Sequence, residues 1–260
     1  MTHNPFIRTF LLSLCLLAMA AWAQGQIVNI ESARMQSDTT GWKGSAQMGF
    51  TYTKNTNKVL DFVSGAHVQY KTKKDLYLLL GNTELLKNGG NSLINNSFLH
   101  LRYNRKFTSH MRWELFGQIQ NNAVTGIDFR FLAGTGPRIK LTESPKFRSY
   151  LGLSAMYEYE RDKVAVVGQP RTIRRDARGN IYHSFSLRPE PGTEMISTLF
   201  VQPLLFDISD YRILEQLSFR IKPGKHFSAR FDVNYLFDTH PATGQPKTNF
   251  RVGTGIGYEL

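Results

Sequence analysis

Cysteine is almost absent from these 260 residues: the only one, Cys15, lies in an apolar run near the amino terminus. If that segment is a removed leader, the remaining chain forms no disulfide and has no thiol chemistry. Cys15 also sits too early for lipid attachment and follows Leu14 rather than a small residue, which argues against a lipoprotein. Long apolar runs are missing from the rest of the chain, and mean hydropathy is −0.31. A helical membrane protein is thereby excluded, because each spanning helix needs about 20 predominantly apolar residues. No linker-like stretch divides the sequence, so a single domain is expected. Of the seven histidines, His3 lies in the leader and the others lack a paired metal-ligand spacing.

The leader has one cation, Arg8, an apolar run from Thr9 to Ala21, and the small-residue pattern Ala21-Trp22-Ala23. This reads as a signal peptide over 1–23, cleaved before Gln24, followed by a periplasmic lead-in over 24–42. Cleavage removes one cation, leaving 31 Lys plus Arg against 20 Asp plus Glu, a net of +11. Such an excess often marks nucleic-acid binding, but export argues against that partner. In an outer membrane the same charge would face lipopolysaccharide phosphates or draw anions toward a lumen.

From Lys43 onward, apolar and polar residues alternate in segments of roughly 10 to 14 residues, the pattern of a transmembrane β-barrel. Ala46, Met48, Phe50 and Tyr52 share one face of the first segment. Phe227, Ala229, Phe231, Val233, Tyr235 and Phe237 share one face of a late one. Soluble sandwich strands are usually shorter, near five or six residues. Strands are expected at 43–53, 58–71, 75–86, 93–107, 110–121, 126–141 and 147–160. The region 162–180 is the least strand-like. Parity requires an even count with both termini on the periplasmic side, which adds 181–188, 193–203, 210–222, 225–238 and 247–260. The expectation is an all-β, antiparallel up-and-down transmembrane barrel of about twelve strands over 43–260, with ten as the alternative.

In this register Tyr70, Phe107, Phe147, Phe227 and Tyr258 gather at the inner interface. Tyr52, Tyr157, Tyr159, Phe237 and Phe250 gather at the outer one. Two charges break the pattern. Arg105 can snorkel, while Glu215 would need a bulge or a strand projecting above the bilayer. The last strand, Phe250 to Leu260, resembles the C-terminal signal read by the outer-membrane assembly machinery, which is therefore an expected partner. Leu260 stands where that signal usually has Phe or Trp.

The segments Asn96 to Arg105, Trp113 to Asn122 and Arg130 to Arg138, then Gln202-Pro203, Asp210-Tyr211-Arg212 and the Pro241 loop, resemble the salt-induced outer membrane protein family, domain of unknown function 481. The resemblance covers most of the chain after the leader. It implies an outer-membrane barrel in the cell envelope and no defined activity.

Ten charges are expected to line the lumen: Arg102, Arg112, Glu114, Arg130, Arg138, Arg148, Glu158, Arg230, Asp232 and Arg251. Paired across it, they would fill a small barrel and stiffen it; left in excess, the arginines would favour anions in a narrow, porin-like channel. Gly134, Gly136, Gly152, Gly253, Gly255 and Gly257 share that face, where closure needs curvature and close approach. Gly253-Thr254-Gly255-Ile256-Gly257 has no following helix, so it implies no phosphate loop. Arg171, Arg174, Arg175 and Arg178 form a basic cluster assigned to the long outer loop. Guanidinium forks there would suit lipopolysaccharide phosphates.

Catalytic, cofactor and metal residues are not assigned. His226-Phe227-Ser228 is the nearest nucleophile–base pattern, and it falls on the inward face near an inner turn. His183 and Ser184 point to opposite faces. The expectation is a non-enzymatic structural envelope component or narrow channel with no cofactor. An outer-membrane lipid-modifying enzyme is the alternative, and a soluble periplasmic lipocalin-like binder the third reading.

Overall fold

A computed structural model describes residues 40–55, 58–89, 91–163, 171–224 and 226–258. The expected signal peptide, most of the lead-in and Leu260 lie outside the described residues. Twelve strands follow one another: β1 (Gly41–Lys54), β2 (Lys58–Lys71), β3 (Asp75–Asn88), β4 (Asn91–Lys106), β5 (Met111–Asn122), β6 (Ile127–Glu143), β7 (Phe147–Asp162), β8 (Ile173–Leu187), β9 (Thr193–Leu204), β10 (Asp207–Ile221), β11 (Phe227–Asp238) and β12 (Thr248–Tyr258). They form one antiparallel sheet in chain order, β1 to β12. The strand count matches the parity argument.

Side chains meeting across the interior show that the sheet is coiled. Tyr182 of β8 donates its hydroxyl hydrogen to Glu114 of β5 at 2.6 Å. Arg212 of β10 reaches Glu158 of β7 at 2.6 Å. At the end opposite the termini, Gly126 after β5 lies against Ala242 and Gln245 of the β11–β12 loop. Among the described residues, β1 and β12 are not paired with each other.

The exterior carries the odd apolar set of each central strand and the even set of β1 and β12. Trp42, Met48, Phe50, Leu101, Leu115 and Ile256 are all exposed. Trp42, Tyr70, Tyr77 and Tyr103 form a ring ladder at the terminal end, with centroids 4.8, 6.3 and 5.0 Å apart. Two polar tips at this end are satisfied: Tyr103 donates to Asp75 at 2.7 Å and Trp113 Nε1 to Thr135 at 2.7 Å. Arg105 pairs with the same Asp75 at 3.1 Å, which anchors it at the rim. Glu215 stands in unbroken register, so the expected bulge is not there; the Ser197 hydroxyl donates to it at 2.7 Å instead.

Three details depart from the expectation. β1 begins at Gly41, inside the segment read as lead-in. β3 is apolar on both faces, with Leu76, Leu78 and Leu80 buried in the interior and Tyr77 and Leu79 outside. β8 begins at Ile173 rather than 181, shortening the long loop and drawing most of the basic cluster into a strand. The β8–β9 turn closes as expected, with Gly192 at φ 83°, where a side chain would strike the backbone of Lys222.

Candidate functional site

The interior is filled on one side. Period two brings the even-numbered residues of β4 to β10 inside, where they stack in three layers. Nearest the terminal end, Arg102 meets Glu114 at 3.0 Å and Arg138 meets it at 3.6 Å. Both guanidiniums also lie over rings, Arg102 at 5.4 Å from Phe116 and Arg138 at 4.1 Å from Tyr150. His100 Nδ1 lies 2.9 Å from Gln118 in the same part of the interior.

The middle layer is apolar. Tyr182, Phe200, Leu214 and Leu236 are register neighbours across β8 to β11 and pack as one buried cluster. Across from them Phe116, Leu132 and Met156 are buried too. Glycine makes this layer possible. A Cβ at Gly152 would fall within the Tyr182 ring, and one at Gly134 would overlap Phe116.

The third layer is ionic and centred on Glu158, which is 0% exposed. Its carboxylate meets Arg130 at 2.5 Å, Arg212 at 2.6 Å and Arg178 at 2.8 Å. The arginines are shared with further carboxylates. Arg212 holds Asp238 at 2.7 Å, Arg178 holds Asp210 at 2.9 Å, and Arg174 bridges Glu160 and Asp162. Arg130, Arg174, Arg178 and Arg212 thus face Glu158, Glu160, Asp162, Asp176, Asp210 and Asp238, so carboxylates outnumber guanidiniums. The anticipated arginine excess is cancelled in this layer, because each guanidinium is drawn from water only where carboxylates compensate it.

The opposite wall is bare. Along β12, β1 and the terminal-end half of β11 the inward face carries Ser45, Gln47, Gly49, Gly253 and Gly255, with Gly65 beside them on β2. At its far end β11 gives Leu236 and Asp238 to the layers above, and β2 buries Gln69 inside. Added Cβ atoms at Gly253 and Gly255 would meet nothing within 4 Å. Arg230 and Asp232 pair along β11 at 2.5 Å, with the arginine largely exposed. Arg251 of β12 lies within electrostatic reach of Asp232 and of Glu84 on β3.

Of the ten lumen charges read from the sequence, Arg102, Glu114, Arg130, Arg138 and Glu158 join the buried layers. Arg230, Asp232 and Arg251 lie on the bare wall, while Arg112 and Arg148 are inward near the terminal rim. The basic cluster is corrected. Arg178 is 1% exposed and Arg174 also points inward, so neither presents a guanidinium to an outside phosphate. Arg175 faces out beside the Tyr159 ring at 5.7 Å, and Arg171 precedes the strand and pairs with Asp128 at 3.0 Å. Alternation of Arg174, Asp176 and Arg178 with Ile173, Arg175 and Ala177 was the available signal. Glu160, Arg212, Asp238 and Tyr182 were missed, because their importance arises from partners several strands away.

His226 and Ser228 do not form a nucleophile–base pair. The His226 ring lies 6.0 Å from Tyr258, whereas the Ser228 hydroxyl points to the Gly257 carbonyl at 3.5 Å. Groups of acidic, histidine or cysteine side chains able to hold a metal are absent among the described residues.

Similar folds occur among solved structures. The NanC porin is 9% identical, with TM-score 0.45 over 83% of this chain and 99% of that chain. The translocator domain of autotransporter NalP from Neisseria meningitidis is 12% identical, with TM-score 0.44 over 98% of each chain. A bacterial polysaccharide outer membrane secretin is 12% identical, with TM-score 0.44 over 85% of this chain and 86% of that one. No curated protein matches. The family described as protein of unknown function, DUF481, matches residues 46–260, from within β1 to the final residue and through every layer described above, and the chain belongs to that family.

Proposed function

We propose that the protein is an integral outer-membrane barrel that conducts small solutes through a narrow, off-axis passage. The observation that carries this reading is the asymmetry of the interior. Side chains close the lumen from β3 to β10 and at the far end of β11, while β12, β1 and the terminal-end half of β11 present mainly glycine and polar residues to open space. The exposed apolar exterior and its aromatic ladder support insertion in a bilayer. In hydrocarbon the free edges of β1 and β12 have no water to satisfy them, so they must pair and close the wall.

The bare wall and its surroundings carry Lys43, Lys71, Arg230 and Arg251 against Asp61, Glu84 and Asp232. That near-balance, one cation in excess, gives at most weak anion selectivity, far below the preference read from total charge. Catalysis is not part of this proposal. Outer-membrane lipid, lipopolysaccharide and the assembly machinery are the proposed partners.

The test is conductance of the purified protein in planar bilayers, with reversal potential measured under a salt gradient. Small, weakly selective unitary steps are expected. A folded, inserted protein with no conductance would overturn the passage and leave a rigid envelope component, which the ionic layers would equally suit. Lipase activity lost in Ser228→Ala would overturn the non-enzymatic part.

A further inference from the structure

One sector of the lipid-facing exterior is polar where neighbouring sectors are apolar. Leu151, His183, Leu199, Glu215 and Tyr235 are successive register partners across β7 to β11, and all point outward. Ser149 and Ser197 lie one rung nearer the terminal end. Within the chain, Ser149 meets His183 Nε2 at 2.9 Å and Ser197 donates to Glu215 Oε1 at 2.7 Å. Among the described residues, His183 Nδ1 and Glu215 Oε2 have no hydrogen-bond partner. On its own strand Glu215 is flanked by Ile213 and Leu217, so it sits within the apolar band. A carboxylate and an imidazole aimed at lipid are costly unless something polar covers them.

We infer that this face of β7 to β11 is where a second copy of the chain docks, forming a two-fold dimer inside the membrane. The patch is complementary to itself. His183 and Glu215 flank Leu199, two strand spacings or about 10 Å apart. A two-fold axis through Leu199 sets His183 of each copy opposite Glu215 of the other, and the same residues recur on both sides as such an interface demands. Each imidazole N–H then donates to a carboxylate in a low-dielectric setting, while Leu199, which is exposed in one copy, packs on its counterpart. The inference rests on the reading that this exterior faces hydrocarbon.

The chain without its leader has no cysteine, so single cysteines report proximity cleanly. Leu199→Cys should give a disulfide-linked dimer on oxidation in membranes, and Leu115→Cys, on β5, should not. In native mass spectrometry from detergent the wild type should be a dimer. Glu215→Gln and His183→Gln should each raise the dissociation constant at least tenfold, and the exchange His183→Glu with Glu215→His should restore it. Heat-modifiable migration checks that each variant is folded. If Leu199→Cys cross-links no more than Leu115→Cys, or the mass is that of one copy with or without lipid, the dimer is overturned. If instead carbonate releases the wild type from membranes, the membrane reading itself fails.

Discussion

Gly152 and Tyr182 share one volume across the β7–β8 pair, and the glycine is required because the ring occupies the space where a Cβ would be. Gly152→Val should therefore lower the yield of folded, heat-modifiable protein sharply. Gly152→Val with Tyr182→Ala should recover much of it, a non-additivity that a general loss of strand propensity would not produce. Glu158 presents the opposite case, a charge held by three arginines. Glu158→Gln leaves Arg130, Arg178 and Arg212 drawn together without their shared anion. Removing one member of such a buried network costs about 3–5 kcal/mol. The expected outcome is a lower unfolding temperature in detergent, read as loss of the fast-migrating band, and an unchanged transition would refute the arrangement.

At the scale of the strand, β8 shows how one register divides a single basic cluster. Ile173, Arg175, Ala177 and Ile181 go outward, and Arg174, Arg178, Asn180 and Tyr182 go inward. If lipopolysaccharide phosphates are bound at this end, Arg171→Gln with Arg175→Gln should reduce lipopolysaccharide co-purification. Arg178→Gln should leave co-purification unchanged and instead lower thermal stability, since Asp210 and Glu158 lose a buried partner. Equal effects from both variants would contradict the assignment of faces. The strand's early start was hidden because charged residues on an inward face look like loop composition when their partners are unseen. β3 conceals the reverse. A leucine run has no period, so nothing in it tells which leucines face the interior.

For the whole molecule, the decisive property is that packing is lopsided. Eight strands, β3 to β10, together with Leu236 and Asp238 of β11, supply the side chains that fill the lumen, and the wall of β12 and β1 supplies almost none. A large residue on the bare wall should therefore obstruct the passage: Gly255→Trp is expected to lower single-channel conductance. Thinning the apolar layer with Tyr182→Ala and Phe200→Ala should raise it. If both variants conduct like wild type, solutes do not follow this route.

Alternation along the chain, joined to the parity of a barrel with both termini on one side, pointed to twelve strands with ten as the alternative, and to all but one of the strand positions, the outward aromatics and the inward charges. Those follow from a backbone geometry that sends every second side chain to the same face. Family membership was likewise legible, carried by ordered motifs from Asn96 to the final strand. Which inward charges neutralise one another, which side of the lumen is filled and how Glu215 is accommodated were not legible. Each depends on residues brought together from strands far apart in sequence, as Glu114 meets Tyr182 and Glu158 meets Arg212. Curvature and register create those meetings, and period two alone contains neither.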